Sequence, residues 1–229
     1  MKQVERFFRQ AATIAGKDLA IELATGEIVT TSGFFAVLVA VIASLAFHVG
    51  ITSAQGVAPG VIWVAVAFAS VLAIGRSWQR EREDGALLGL LVLPLSRAAL
   101  FAGKALSIAI FVWIVEIIVV PVTALLFAVD LLEVGPGLLL ISLAATPGIA
   151  AVGTLFGAMT VRTRARDLVL ASVFFPLLAP TLLAAVAGTR ELFGGAPLDE
   201  LFDYVAIMGV FGVVFTAGGI GMFETLIDG

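Results

Sequence analysis

The sequence predicts an all-α membrane protein of six transmembrane helices, with an N-terminal amphipathic interfacial helix before them and a cytoplasmic coupling helix between spans two and three. Three observations carry this. Of the 229 residues, 61% are hydrophobic and 13% charged, against roughly 45–50% and 25% in soluble domains. The apolar residues gather in long continuous runs. Backbone groups in hydrocarbon must be satisfied within the chain, so runs of about 20 residues read as spanning helices and not as the short alternating strands of a barrel. Finally, the basic residues collect in alternate connections.

The first element covers residues 1–32. Val4, Phe7, Phe8, Ala11, Ile14, Ala15, Leu19 and Ile21 recur near helical spacing, while Lys2, Glu5, Arg6, Arg9, Lys17 and Asp18 take other positions. That pattern describes a helix lying in the cytoplasmic interface, whose simplest role is a membrane-surface anchor. It lacks an apolar core followed by a small-residue cleavage site, so it is not expected to be a removable signal peptide. A single membrane domain, 33–229, follows, with spans over 33–51, 57–75, 100–129, 136–161, 168–188 and 204–227.

Short cytoplasmic loops are enriched in Lys and Arg. Here Lys2, Arg6, Arg9 and Lys17 precede span one; Arg76, Arg80, Arg82, Arg97 and Lys104 lie between spans two and three; Arg162, Arg164 and Arg166 lie between four and five. Only Arg190 falls on the other side, beside an acidic connection with Glu191, Asp199, Glu200 and Asp203. Both termini are therefore expected in the cytoplasm.

Several chemistries are excluded. The chain has no cysteine, which removes disulfides, thiolate metal sites and covalent haem attachment. A phosphate loop needs G-x-x-x-x-G-K-[ST], but Gly103-Lys104 is followed by Ala105 and has Ala98 where the first glycine belongs, and Gly16-Lys17 fails similarly. ATP-driven work must borrow its ATPase from another chain. An intramembrane enzyme would need a nucleophile beside a base. The sequence offers one histidine, His48, at the outer end of span one, read as an interfacial hydrogen-bonding residue in preference to a haem ligand.

Glu116 sits midway through span three in IFVWIVEIIVVPV. A carboxylate there is costly and must face protein or a water-filled cavity. It is either a polar point on a translocation path or subunit interface, or the acceptor of a helix–helix hydrogen bond from a serine or threonine. Pro121 is expected to kink the same span, and Pro176 and Pro180 to bend the fifth. Gly148, Gly153 and Gly157 are spaced for close helix packing.

The connector 76–104 is the most unusual stretch. Arg80-Glu81-Arg82-Glu83-Asp84 alternates charge, Gly85 interrupts it, 86–93 is apolar, and Pro94-Leu95-Ser96 breaks the chain before a helix that Ser96 is placed to cap. It reads either as a docking surface for a soluble partner or as an interfacial helix beside a solvated charge run.

REREDGALLGLLVLPLSRAALFAGK resembles the cytoplasmic connector of ABC-2 type permeases. VAPGVIWVAVAFASVLAIGRSWQRE and AAVGTLFGAMTVRTRARDLVLASVFFPLLAPTLLAA resemble the haem exporter protein CcmB family, so the likeness runs over 57–187. The resemblance implies a multi-pass subunit of the bacterial inner membrane in c-type cytochrome maturation. It would work with a cytoplasmic ATPase, CcmA, the membrane proteins CcmC and CcmD, the haem chaperone CcmE and the lipid bilayer, with no nucleic-acid partner. Haem would be the substrate of the system and ATP would bind the partner; this chain would hold no cofactor or metal and would not be an enzyme by itself. Glu81, Glu83 and Asp84 become candidates for the face touching the ATPase, with Gly85 between them and Leu87, Leu88, Leu90 and Leu91 holding the segment to the bundle. An ABC-2 permease for a lipid, glycan or drug, or a non-moving membrane scaffold, are the alternatives.

Overall fold

The computed structural model describes residues 2–47, 51–83, 89, 95–161 and 166–228, and no strand occurs among them. Helix α1 (Lys2–Thr25) is followed by α2 (Glu27–Ala46), α3 (Ile51–Glu83), α4 (Arg97–Leu126), α5 (Leu131–Val161), α6 (Arg166–Phe193), a 3-10 turn (Leu198–Leu201) and α7 (Phe202–Asp228). Helices α2 to α7 are each long and apolar enough to cross a membrane, and the chain is an integral membrane protein of six such helices.

α1 passes into α2 through one residue. Gly26 takes φ 62°, a left-handed conformation that costs glycine little, and its N–H donates to the Glu22 carbonyl at 2.6 Å while its own carbonyl receives the Thr30 N–H at 3.0 Å. The helix of the first span therefore starts at Glu27, earlier than hydropathy alone indicates. Its buried stripe, Ile28, Ser32, Ala36 and Ala40, repeats every fourth residue and lets α2 lie against α3 and α4. Phe34, Leu38, Ile42 and Leu45 are left facing outward.

The most enclosed helices are α3, α4 and α5, whose residues dominate the main core. Glycines set the approach of α5. A Cβ at Gly153 would collide with Ile74, one at Gly157 with the Trp78 ring, and one at Gly148 would stand 3.0 Å from Phe211. The glycine spacing seen in the sequence is thus used on two sides, against α3 and against α7. Trp63 of α3 donates to Thr189 of α6 at 2.9 Å within the core. α4 runs unbroken through Pro121 and α6 through Pro176 and Pro180.

Both ends of the connector 76–104 are helical. α3 continues to Glu83 because Arg76, Arg80 and Glu81 find partners on neighbouring helices. At α4, Ser96 occupies the N-cap position but its side chain makes no capping bond. Its N–H donates instead to Gln10 of α1 at 3.3 Å, and its carbonyl receives the Leu100 N–H at 3.0 Å.

Candidate functional site

The polar centre of the molecule lies where α1 crosses the adjoining ends of α3 and α4. α1 turns Ala11, Ile14 and Ala15 inward, and the same face continues through Asp18 and Glu22, which are as buried as the apolar residues before them. α1 can come this close because residue 103 is glycine: a Cβ there would sit 2.7 Å from both the Ala11 carbonyl oxygen and Ile14 Cβ. The residue after it, Lys104, has a side chain 1% exposed.

Lys104 joins three helices. Its Nζ lies 2.5 Å from Glu81 Oε1 of α3 and 2.8 Å from Asp18 Oδ2 of α1, while the Trp78 ring covers it with the centroid 5.6 Å away. Lys17 reaches the same Glu81 oxygen at 2.6 Å and Asp18 Oδ1 at 3.1 Å. Ser107 donates to Asp18 Oδ2 at 3.0 Å. Further out, Arg80 contacts Glu22 at 3.2 Å and Glu27 at 3.1 Å, and Arg76 contacts Glu27 at 3.1 Å. Glu22 also receives the Val29 N–H at 2.8 Å, which ties the α1–α2 corner to the same network.

Charge balance explains how so many ions are tolerated inside. Lys17, Arg76, Arg80 and Lys104 face Asp18, Glu22, Glu27 and Glu81, so the set is neutral and each buried charge touches an opposite one, as low-dielectric surroundings demand. Burial acts to raise the Asp18 carboxyl, but the charge and hydrogen bond of Lys104, then those of Lys17, outweigh it and hold Asp18 below its ordinary value of 3.8. For Lys17, burial acts to lower the ammonium; the hydrogen bond to Glu81 and the charges of Asp18 and Glu81 prevail and raise it above 10.5. Both groups therefore stay ionised at any pH between those values. A cavity of about 50 Å³ lies among Lys17, Asp18, Ser77, Arg80, Glu81 and Lys104, and the second oxygen of Glu81 has no hydrogen bond among the described residues.

The ion pairs join α1 to the end of α3 and the start of α4, the two helices that bracket residues 84–96. Among the described residues no group of three or more His, Cys, Asp or Glu is arranged to hold a metal ion.

Glu81 therefore turns its carboxylate inward, 3% exposed, and does not present it on the chain's surface. His48, Asp84, Gly85, Leu87 and Leu88 lie outside the described residues, as does the side chain of Glu83. Glu116 is buried and accepts hydrogen bonds from two α5 hydroxyls, Ser142 and, at 2.8 Å, Thr146. This is the helix–helix bond that was one of its two readings. Sequence reasoning missed Asp18, Glu22 and Lys104. The signal was present for two of them: 11, 14, 15, 18 and 22 form one continuous helical stripe.

Comparison with known proteins adds the following. The family described as CcmB protein matches residues 9–219. The chain is similar to "Heme exporter protein B" of Paracoccus denitrificans, 31% identical over 155 residues, covering 66% of this chain and 69% of that protein. Proteins of the same description in Bradyrhizobium diazoefficiens and Pseudomonas aeruginosa are 27% and 28% identical, covering 78% and 72% of this chain and 80% and 73% of theirs.

Proposed function

The chain belongs to the CcmB protein family, and on that premise we propose that it is the membrane permease subunit of an ABC-type haem exporter serving c-type cytochrome maturation. Its place is the bacterial inner membrane, with both termini and the ion-pair end of the bundle in the cytoplasm. The distribution of basic residues supports that orientation, and the relatives named for haem export support the cargo.

The chain has no phosphate loop of its own, so ATP is hydrolysed on a partner, CcmA, which docks on the connector around Glu83, Asp84 and the apolar residues after them. CcmC and CcmD complete the membrane assembly and handle haem, and the ATP-driven step releases the haem-loaded chaperone CcmE. The single observation that carries the coupling role is the position of Lys104. It pairs with both Glu81 of α3 and Asp18 of α1 while belonging to the start of α4. A push on the connector reaches α3, α1 and the third span together. Glu81 acts inside this clamp, and contact with the ATPase falls to the residues beyond it.

The test is charge reversal at Glu83 and Asp84. Glu83→Lys with Asp84→Lys is expected to abolish co-purification with the ATPase, or its stimulated hydrolysis, while the protein still inserts in the membrane at wild-type level. Undiminished ATPase binding and cytochrome c yield in the double variant overturns the reading.

A further inference from the structure

One more buried carboxylate, Glu116, stands apart from the clamp. Between α4 and α5 a groove of about 450 Å³ opens on the outer surface of the bundle, with Glu116 in its floor and Trp113, Val120, Pro121 and Leu138 among its walls. Its rim includes Ile117, Leu139 and Leu143, which are exposed large apolar residues.

Three features fit a ligand. The volume lies within the range of about 300–1,000 Å³ typical of small-molecule sites, which are mostly apolar with a few placed polar groups. Glu116 supplies the polar group: one oxygen takes the Ser142 hydroxyl and the other the Thr146 hydroxyl. A carboxyl group has acceptor positions beyond the two that these hydroxyls occupy, so capacity remains for a donor entering from the groove. The wall is also recessed at Gly135, where an added Cβ would meet no atom within 4 Å. Open space is therefore present on the groove wall at that point, and no described side chain fills it.

We propose that this groove binds a lipophilic molecule ending in a cationic or hydrogen-bond-donating group, with its apolar body between α4 and α5 and its polar end on the Glu116 carboxylate. A ligand ending in a carboxylate is disfavoured, because an ionised carboxylate brings no donor to the groove's acceptor and is costly to bury in a low-dielectric site. The groove is thereby distinguished from a route for a di-acid such as haem. This inference stands on the α4–α5 geometry and is independent of the coupling role proposed above.

The full chain in phosphatidylcholine vesicles tests it. Trp113 lines the groove and is one of three tryptophans, so occupancy by brominated C12 alkyl probes ending in an amine, an alcohol or a carboxylate is read as the tryptophan quenching that Trp113→Phe removes. Saturable quenching is expected with the amine at a concentration about tenfold or more below that needed for the carboxylate, the size of one charge-assisted hydrogen bond. Glu116→Gln is expected to remove that preference. Gly135→Phe, which fills open space on the groove wall without touching the carboxylate, is expected to abolish saturation for all three. Equal quenching by the three probes, preference for the carboxylate, or saturation unchanged in Gly135→Phe overturns the proposal. Because Gly135→Phe leaves the Glu116 bonds to α5 in place, it decides the matter even if Glu116→Gln fails to fold.

Discussion

Lys104 is the residue on which the clamp turns, because its removal leaves two carboxylates, Asp18 and Glu81, buried with less compensation. Taking one partner from a buried ion pair costs about 3–5 kcal/mol, whereas replacing the whole set by apolar or neutral groups can be nearly neutral. Lys104→Met is therefore expected to lower the unfolding free energy by about that amount, and the triple change Lys104→Met, Asp18→Asn, Glu81→Gln to recover most of it. Thermal unfolding in detergent measures both, and additive losses in the triple variant would refute the coupling. None of this was legible from Lys104 alone. In the sequence it is the second half of a failed nucleotide motif, and its partners lie 23 and more residues away. Glu116 was half legible: its hydropathic context required a polar partner, but the choice of Ser142 and Thr146 depends on the register of α5, which no local pattern specifies.

Among the elements, the spanning helices could be read because about 20 apolar residues leave the chain no other backbone solution in lipid. The eight residues that carry α3 past Gly75 could not. Arg76 to Glu83 looks like a solvated charge run until the opposite charges on α1 and α2 are placed beside it. The amphipathicity of α1 was legible, yet its outcome differs in detail. Val4 and Phe8 remain exposed while Asp18 and Glu22 are buried, because the face is selected by contact with α4 and the end of α3, where Lys104 and Arg80 offer the opposite charges. Gly103 permits the contact, so Gly103→Leu is expected to lift α1 from α4. The absence of native cysteine makes a paired-cysteine assay at positions 10 and 96 clean: a short thiol crosslinker should join them in an otherwise native chain and fail to do so in Gly103→Leu.

For the whole molecule, the bundle divides into an enclosed group of helices and a periphery. α3, α4 and α5 supply most of the core, while α2 and α7 turn many large apolar side chains outward. Coupling of the kind proposed requires α1, the end of α3 and the start of α4 to travel as one body. Crosslinking positions 10 and 96 covalently should then leave cytochrome c yield within about twofold of the uncrosslinked protein, since it fastens parts that do not separate. A loss of yield on crosslinking would mean instead that α1 undocks during the cycle, and would replace the rigid clamp by a latch.

The clamp also has a history within each molecule's synthesis. Asp18 is made early, but its hydroxyl partner Ser107 lies 89 residues further on. At roughly 5–20 residues per second, translation needs roughly 4–18 s to supply it. During that interval the corner at Gly26 exists, but α1 lacks Gly103, Lys104 and Ser107 of α4, so Asp18 is without its α4 partners while two spans enter the membrane. Completion of the third span ends the wait, which makes the seating of α1 a record that the first half of the protein has been inserted in the right order.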